Sequence, residues 1–182
     1  MATRDELYAK FGITAEAAQL FETDLNTLLL MTHFTENGWH IEPDRELGLR
    51  FVDSIDRDTL GQLLKRLSKK FDDNLKDRFA SALKARNRLI HGFYERHDFK
   101  IQTDEGRDIM IADLEKLHEE LFQAWQVAST ITALTERAML EHIEEVATPQ
   151  RKEEIRKIMQ QREKLLERYL PKDDAKEEPP KD

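Results

Sequence analysis

Leu75-Lys76-Asp77-Arg78-Phe79-Ala80-Ser81-Ala82-Leu83-Lys84-Ala85-Arg86-Asn87-Arg88-Leu89-Ile90-His91-Gly92-Phe93 carries a helical hydrophobic period. Setting Leu75 at zero and advancing about 100 degrees per residue, as an α-helix does, places Phe79, Ala82, Leu83, Leu89, Ile90 and Phe93 within roughly 80 degrees of it. Arg86 falls at about 20 degrees, in the middle of that apolar stripe. An unpaired charge there is costly. Arg86 must therefore pair with an acid such as Glu22 or Asp24, snorkel to water, or line a cleft or subunit interface.

The same pattern extends outward. Asp5 to Lys10 forms a short helical lead-in broken at Gly12. Thr14 caps a helix over about 15–36, with Ala18, Phe21, Leu25, Leu28 and Leu29 spaced by three and four. Asn37-Gly38 closes it. Residues 39–54 read as a connector containing Pro43 and Gly48. Asp56 or Asp58 caps a second helix carrying Leu60, Leu63, Leu64 and Leu67. Asp72 starts the central helix, which ends near Gly92 and Phe93. Residues 97–105 read as a loop or short extended piece. A long helix follows over about 107–146, with Leu114, Leu121, Trp125, Ala128 and Met139 on one stripe. Thr148-Pro149 interrupts it. Charged residues 150–169 form a further helix, and 171–182 are expected to be disordered. The expected fold is all-α, an antiparallel four- to five-helix bundle. Its domain covers 1–147, the charged helical extension 148–170 and the tail 171–182.

Composition narrows the chemistry. The 182 residues include no cysteine, which excludes disulfides, thiolate catalysis and cysteine zinc sites and fits a cytoplasmic setting. No signal peptide or membrane-spanning run is visible. The net charge of -8 argues against nucleic acid only on average. Residues 57–100 alone carry net +6, and a local basic patch attracts phosphates on an acidic protein. Lys65, Arg66, Lys69 and Lys70 form a run suited to an RNA backbone, or to a solvated helix face.

Asn87 and His91 are one turn apart and share an edge of the helix, flanked by Lys84 and Arg88. Imidazole titrates near pH 6.5, which suits a general acid or base. A guanidinium holds a phosphate through two hydrogen bonds. Together these residues contain the parts needed to cleave RNA by attack of its own 2′-hydroxyl, with no metal or other cofactor expected. Arg137 and His142 repeat the bare spacing, but Arg137 falls on the solvent side of its helix. His33, His40, His97, His118 and His142 are read as having no role in chemistry, and no pair of them has metal-ligand spacing.

Arg86-Asn87-Arg88-Leu89-Ile90-His91-Gly92-Phe93-Tyr94 resembles the signature of HEPN domains, in which an Arg, usually followed by a polar residue, precedes a His with four to six residues between them. The acidic, Leu-containing segment Phe21-Glu22-Thr23-Asp24-Leu25 is similar to that family's first helix, and the resemblance covers about residues 14–146. It implies a helical bundle that forms a homodimer, with two motifs meeting across a cleft as one composite ribonuclease site of the toxin–antitoxin or antiviral-defence kind. On that pattern Arg86 steadies the scissile phosphate, His91 assists proton transfer, and Asn87 positions one or both. Glu22, Asp24 and Tyr94 are candidate supporting residues. RNA and an antitoxin or regulatory protein are the implied partners. In HEPN toxins paired with a nucleotidyltransferase a Tyr often stands two residues after the His. Here that position is Phe93, with Tyr94 next. The competing expectations are a non-catalytic HEPN-like module that binds nucleotide, RNA or protein, and a plain helical interaction protein in which Arg86 is a satisfied ion pair.

Overall fold

The computed structural model describes residues 2–169, with side chains through 165. Within that range the chain is all-helical: α1 (Arg4–Glu36), α2 (Arg45–Ile55), α3 (Leu60–Leu67), α4 (Asp73–His97), α5 (Asp104–Val146) and α6 (Pro149–Tyr169). Short 3₁₀ turns, Ser68–Lys70 and Asp98–Gln102, follow α3 and α4. Among the described residues no helix is long and apolar enough to cross a membrane. The expected disorder of 171–182 lies outside the described residues.

The chain divides into two compact units, one reaching Met139 and the other starting at Leu140, so α5 runs through both. In the first unit, α1, α3, α4 and the front of α5 share one hydrophobic core. Ring contacts fix the helix directions. Phe21 lies 5.2 Å from Phe79, and Phe11 lies 5.7 Å from Phe93, so α1 and α4 run antiparallel. The Ala2 amide donates to Asp108 at 2.8 Å, and the Thr132 hydroxyl donates to the Asp24 carbonyl at 3.4 Å. These pairs keep the same order on both helices, so α1 and α5 are parallel. Leu60, Leu63 and Leu67 bury the inner face of α3 in the same core, each burial contributing about 1.5–3 kcal/mol.

Several boundaries differ from those expected. α1 starts at Arg4, because Thr3 and Glu6 form a capping box that satisfies two free amides. Gly12 therefore lies inside a helix. Its propensity cost of about 0.5–1 kcal/mol is outweighed by burial of Leu7, Ala17, Ala18 and Phe21. Thr14 is not a cap: it is buried, and its hydroxyl donates to the Lys10 carbonyl at 2.8 Å. The connector read over 39–54 contains α2, capped by Asp44, whose carboxylate accepts from the Leu47 amide at 2.9 Å.

Thr59, rather than Asp56 or Asp58, caps α3, in a box with Gln62. Asp72 does cap α4, accepting from the Leu75 amide at 2.8 Å. That helix passes through Gly92 to His97, so His91 stands inside it rather than at its end. The loop expected after it is the 3₁₀ turn, and α5 begins at Asp104.

In the second unit the break between Val146 and Pro149 occurs as expected. Pro149 takes the first helical position, where its missing N–H costs nothing, and the Thr148 hydroxyl accepts from the Arg151 amide at 3.3 Å. Arg156 pairs with Glu144 at 3.2 Å.

Candidate functional site

The buried face of α4 consists of Phe79, Ala82, Ala85, Leu89, Phe93 and His97. It is rotated towards Ala85 relative to the stripe drawn from Leu75, since Leu75 and Leu83 are only half-buried and Ile90 is exposed. Arg86 therefore flanks the buried face instead of occupying its centre. Its side chain is 26% exposed and meets Glu22, 30% exposed, at 3.5 Å. A second guanidinium nitrogen donates to the Asn87 side-chain oxygen at 3.3 Å. Asn87 and His91 are exposed, one turn apart on the same edge.

Of the two acids expected to meet Arg86, only Glu22 does. Asp24 turns towards α5: hydrogen bonds from Trp125 and Ser129 partly offset the burial that raises its carboxyl above the ordinary value.

Tyr94 packs 5.5 Å from Phe11 and 5.3 Å from Phe93 while remaining exposed at its edge. Burial, and then the neighbouring Tyr8, push its phenol above the ordinary value, so it stays protonated at neutral pH. Ile90, Tyr94 and Tyr8 are large exposed apolar side chains on or beside the helix that carries Arg86 and His91.

No family model, curated protein or solved structure matches this chain.

The basic residues of the motif part company in space. Lys84 is exposed. Arg88, expected to flank an RNA-facing edge, instead forms an ion pair with Asp113 of α5. The other oxygen of Asp113 meets His97 Nε2 at 2.8 Å, and His97 is 4% exposed. Burial pushes the Asp113 carboxyl up. The hydrogen bonds from His97 and Arg88, with their charges, outweigh it and hold the group below its ordinary value. This clamp ties the end of α4 to α5. His97, read from sequence as having no role in chemistry, is a structural partner here. Helical counting carried past Gly92 to position 97 puts it about 40 degrees from Leu75, which would have marked it as buried and in need of a partner.

Lys65, Arg66, Lys69 and Lys70 come together at α3 and its 3₁₀ turn, where they line a cleft of about 430 Å³ with Leu29, His33, Glu36 and Phe51. Lys70 pairs with Glu36, and Arg66 pairs with Asp58. The aromatic side of this cleft was not expected, because Phe51 belongs to the unforeseen α2. Among the described residues no three His, Cys, Asp or Glu side chains come together as metal ligands.

Proposed function

We propose that the protein is a metal-independent endoribonuclease of the toxin–antitoxin or antiviral-defence type, with an HEPN-like bundle and a composite Arg/His site at a homodimer interface. The observation that carries this reading is the arrangement of Arg86 between Glu22 and Asn87, with an exposed His91 one turn beyond Asn87. An ion pair at 3.5 Å between partly exposed groups contributes at most about 1 kcal/mol. A phosphate offering a bidentate contact competes well for such a guanidinium.

In the chemistry this implies, the 2′-hydroxyl oxygen of one nucleotide attacks the adjacent phosphorus. The hydroxyl proton passes to a base, the bond from phosphorus to the 5′-oxygen breaks, and that oxygen takes up a proton. The products are a 2′,3′-cyclic phosphate and a 5′-hydroxyl. Arg86 stabilises charge on the non-bridging oxygens, and His91 moves a proton. Asn87 holds Arg86 and shares the edge of His91.

On a single helix Arg86 and His91 are about 140 degrees apart. Two chains meeting through this face bring one protomer's Arg86 towards the partner's motif. The exposed Ile90 and Tyr94 supply apolar surface for that contact.

The test is cleavage of diverse RNAs in EDTA by wild type and His91→Ala, with folding and dimerisation checked for both. Cleavage lost in a folded, dimeric variant supports the reading, and equal cleavage by both proteins sinks the site. The Glu22–Arg86 pair, which occupies the guanidinium, suits the readings without catalysis: an HEPN-like module that binds nucleotide, RNA or protein, or a plain helical interaction protein in which Arg86 is a satisfied ion pair. In that case the wild type cleaves nothing and His91→Ala binds its ligand unchanged.

A further inference from the structure

The basic cleft stands apart from the motif yet lies in line with it. Glu22, which holds Arg86, and His33, which lines the cleft, are eleven residues apart on α1. Eleven residues make about three turns, roughly 16 Å of rise with an angular offset of about 20 degrees. Asn26 and Leu29 fall between them on the same edge. Leu29 lines the cleft, and the Asn26 side-chain oxygen is buried without a hydrogen-bond partner.

In a protein of net charge -8, this cleft is lined by four cations and one acid, Glu36. Glu36 is taken by Lys70 and Asp58 by Arg66, while Lys65 and Lys69 are exposed and have no ion pair among the described residues. Beside them His33 stacks on Phe51, with centroids 3.5 Å apart and planes 8° apart, and the Arg66 guanidinium lies 4.9 Å over the Phe51 ring. Burial, then the charge of Arg66, depress the His33 imidazole, with Glu36 opposing. The stacked His33–Phe51 pair, with the Arg66 guanidinium over it, forms one wall of the cleft, and the two free cations beside it supply the phosphate contacts that hold a single-stranded backbone.

We propose that the cleft between α1, α2 and α3 is a second RNA-binding site, in which Lys65 and Lys69 contact phosphates of a single strand whose distal part reaches Arg86. The separation of about 16 Å corresponds to roughly five nucleotides of a stacked strand at about 3.4 Å each. This rests on RNA being the ligand, as proposed above, and not on His91 chemistry.

The test uses the full-length His91→Ala protein, so that no probe is cut. Fluorescein-labelled single-stranded RNA of 16 nucleotides is titrated in EDTA over a range of salt, and fluorescence anisotropy reads the binding. K65A/K69A is added on that background. K116A/K157A, which removes two charges elsewhere, is the control, and circular dichroism checks folding of each protein. Two lost phosphate contacts reduce the salt slope by about 1.4, which weakens binding roughly ten- to thirtyfold near 0.1 M salt.

That result, with little change in the control, supports the cleft. Unchanged binding in K65A/K69A, or an equal loss in the control, overturns it. So does ATP displacing the RNA at the concentrations at which the RNA itself binds, which would make the cleft a free-nucleotide site. A wild type that cleaves no RNA while K65A/K69A weakens binding removes the nuclease and leaves the cleft standing. Cleavage by wild type together with unchanged binding in K65A/K69A removes the cleft alone.

Discussion

Replacing Asp113 by alanine should weaken the first unit more than replacing the exposed Asn87 or His91 does. The carboxylate is 12% exposed and accepts from His97 at 2.8 Å and from Arg88. A hydrogen bond involving a charged group contributes about 1.5–3 kcal/mol. Arg88 is about one-third exposed, so its share belongs at the low end. His97 Nδ1 and Arg88 Nε are already buried without hydrogen-bond partners, so neither atom makes a second hydrogen bond that would offset the loss. The expected loss is about 3 kcal/mol, or roughly 6–12 °C in Tm for a chain of this size.

The pH dependence has a definite sign. The folded carboxyl is held below its ordinary value. Its contribution is therefore present above the unfolded pKa, near 3.9, and is lost as pH falls through the folded one. Thermal unfolding followed by circular dichroism should show the full gap between wild type and Asp113→Ala at pH 7 and a narrowed gap at pH 3. Asp113→Asn, which keeps an acceptor, should fall in between. A Tm change under about 2 °C at pH 7, or a gap that persists undiminished at pH 3, would refute the clamp.

Two glycines should respond to alanine with opposite sign. At Gly106 a Cβ would lie 2.0 Å from the Lys100 carbonyl oxygen, a backbone atom that cannot swing aside. Gly106→Ala should destabilise by about 2–3 kcal/mol or more, read as a lowered urea midpoint. At Gly12, inside α1, a Cβ meets nothing within 4 Å. Gly12→Ala should stabilise by about 0.5–1 kcal/mol, and a lowered midpoint would contradict the unbroken α1.

The sequence made the long apolar periods legible, and with them α4, the body of α1, the front of α5 and the break at Pro149. It was less clear where a local signal competed with a distant one. Thr3 and Glu6 spell a capping box in plain sight, yet Gly12 looked like a breaker because the burial that outweighs it depends on tertiary packing. α2 stayed hidden because its inward face, Gly48, Phe51, Val52 and Ile55, opens on a glycine against which Phe34 packs, while the more conspicuous Leu47 and Leu49 are exposed.

At the motif, Glu22 and Asp24 were equal candidates to meet Arg86. Two residues apart on a helix they point about 200 degrees away from each other, and only the rotation of α1 against α4 decides between them. Asp113 could not be found, since it depends on the register of α5 against α4. The cleft was half visible as a basic run. Its aromatic half comes from α2.

The most direct test is the chemical identity of the cut ends. Wild-type protein and RNA are incubated in EDTA, and the fragments are analysed by mass spectrometry. The expected result is 2′,3′-cyclic phosphate at the new 3′ ends and hydroxyl at the new 5′ ends, with no fragments from His91→Ala and none when the nucleotide before the cut lacks its 2′-hydroxyl. Fragments bearing 5′-phosphates, or cutting that survives loss of that hydroxyl, would contradict cleavage by Arg86 and His91.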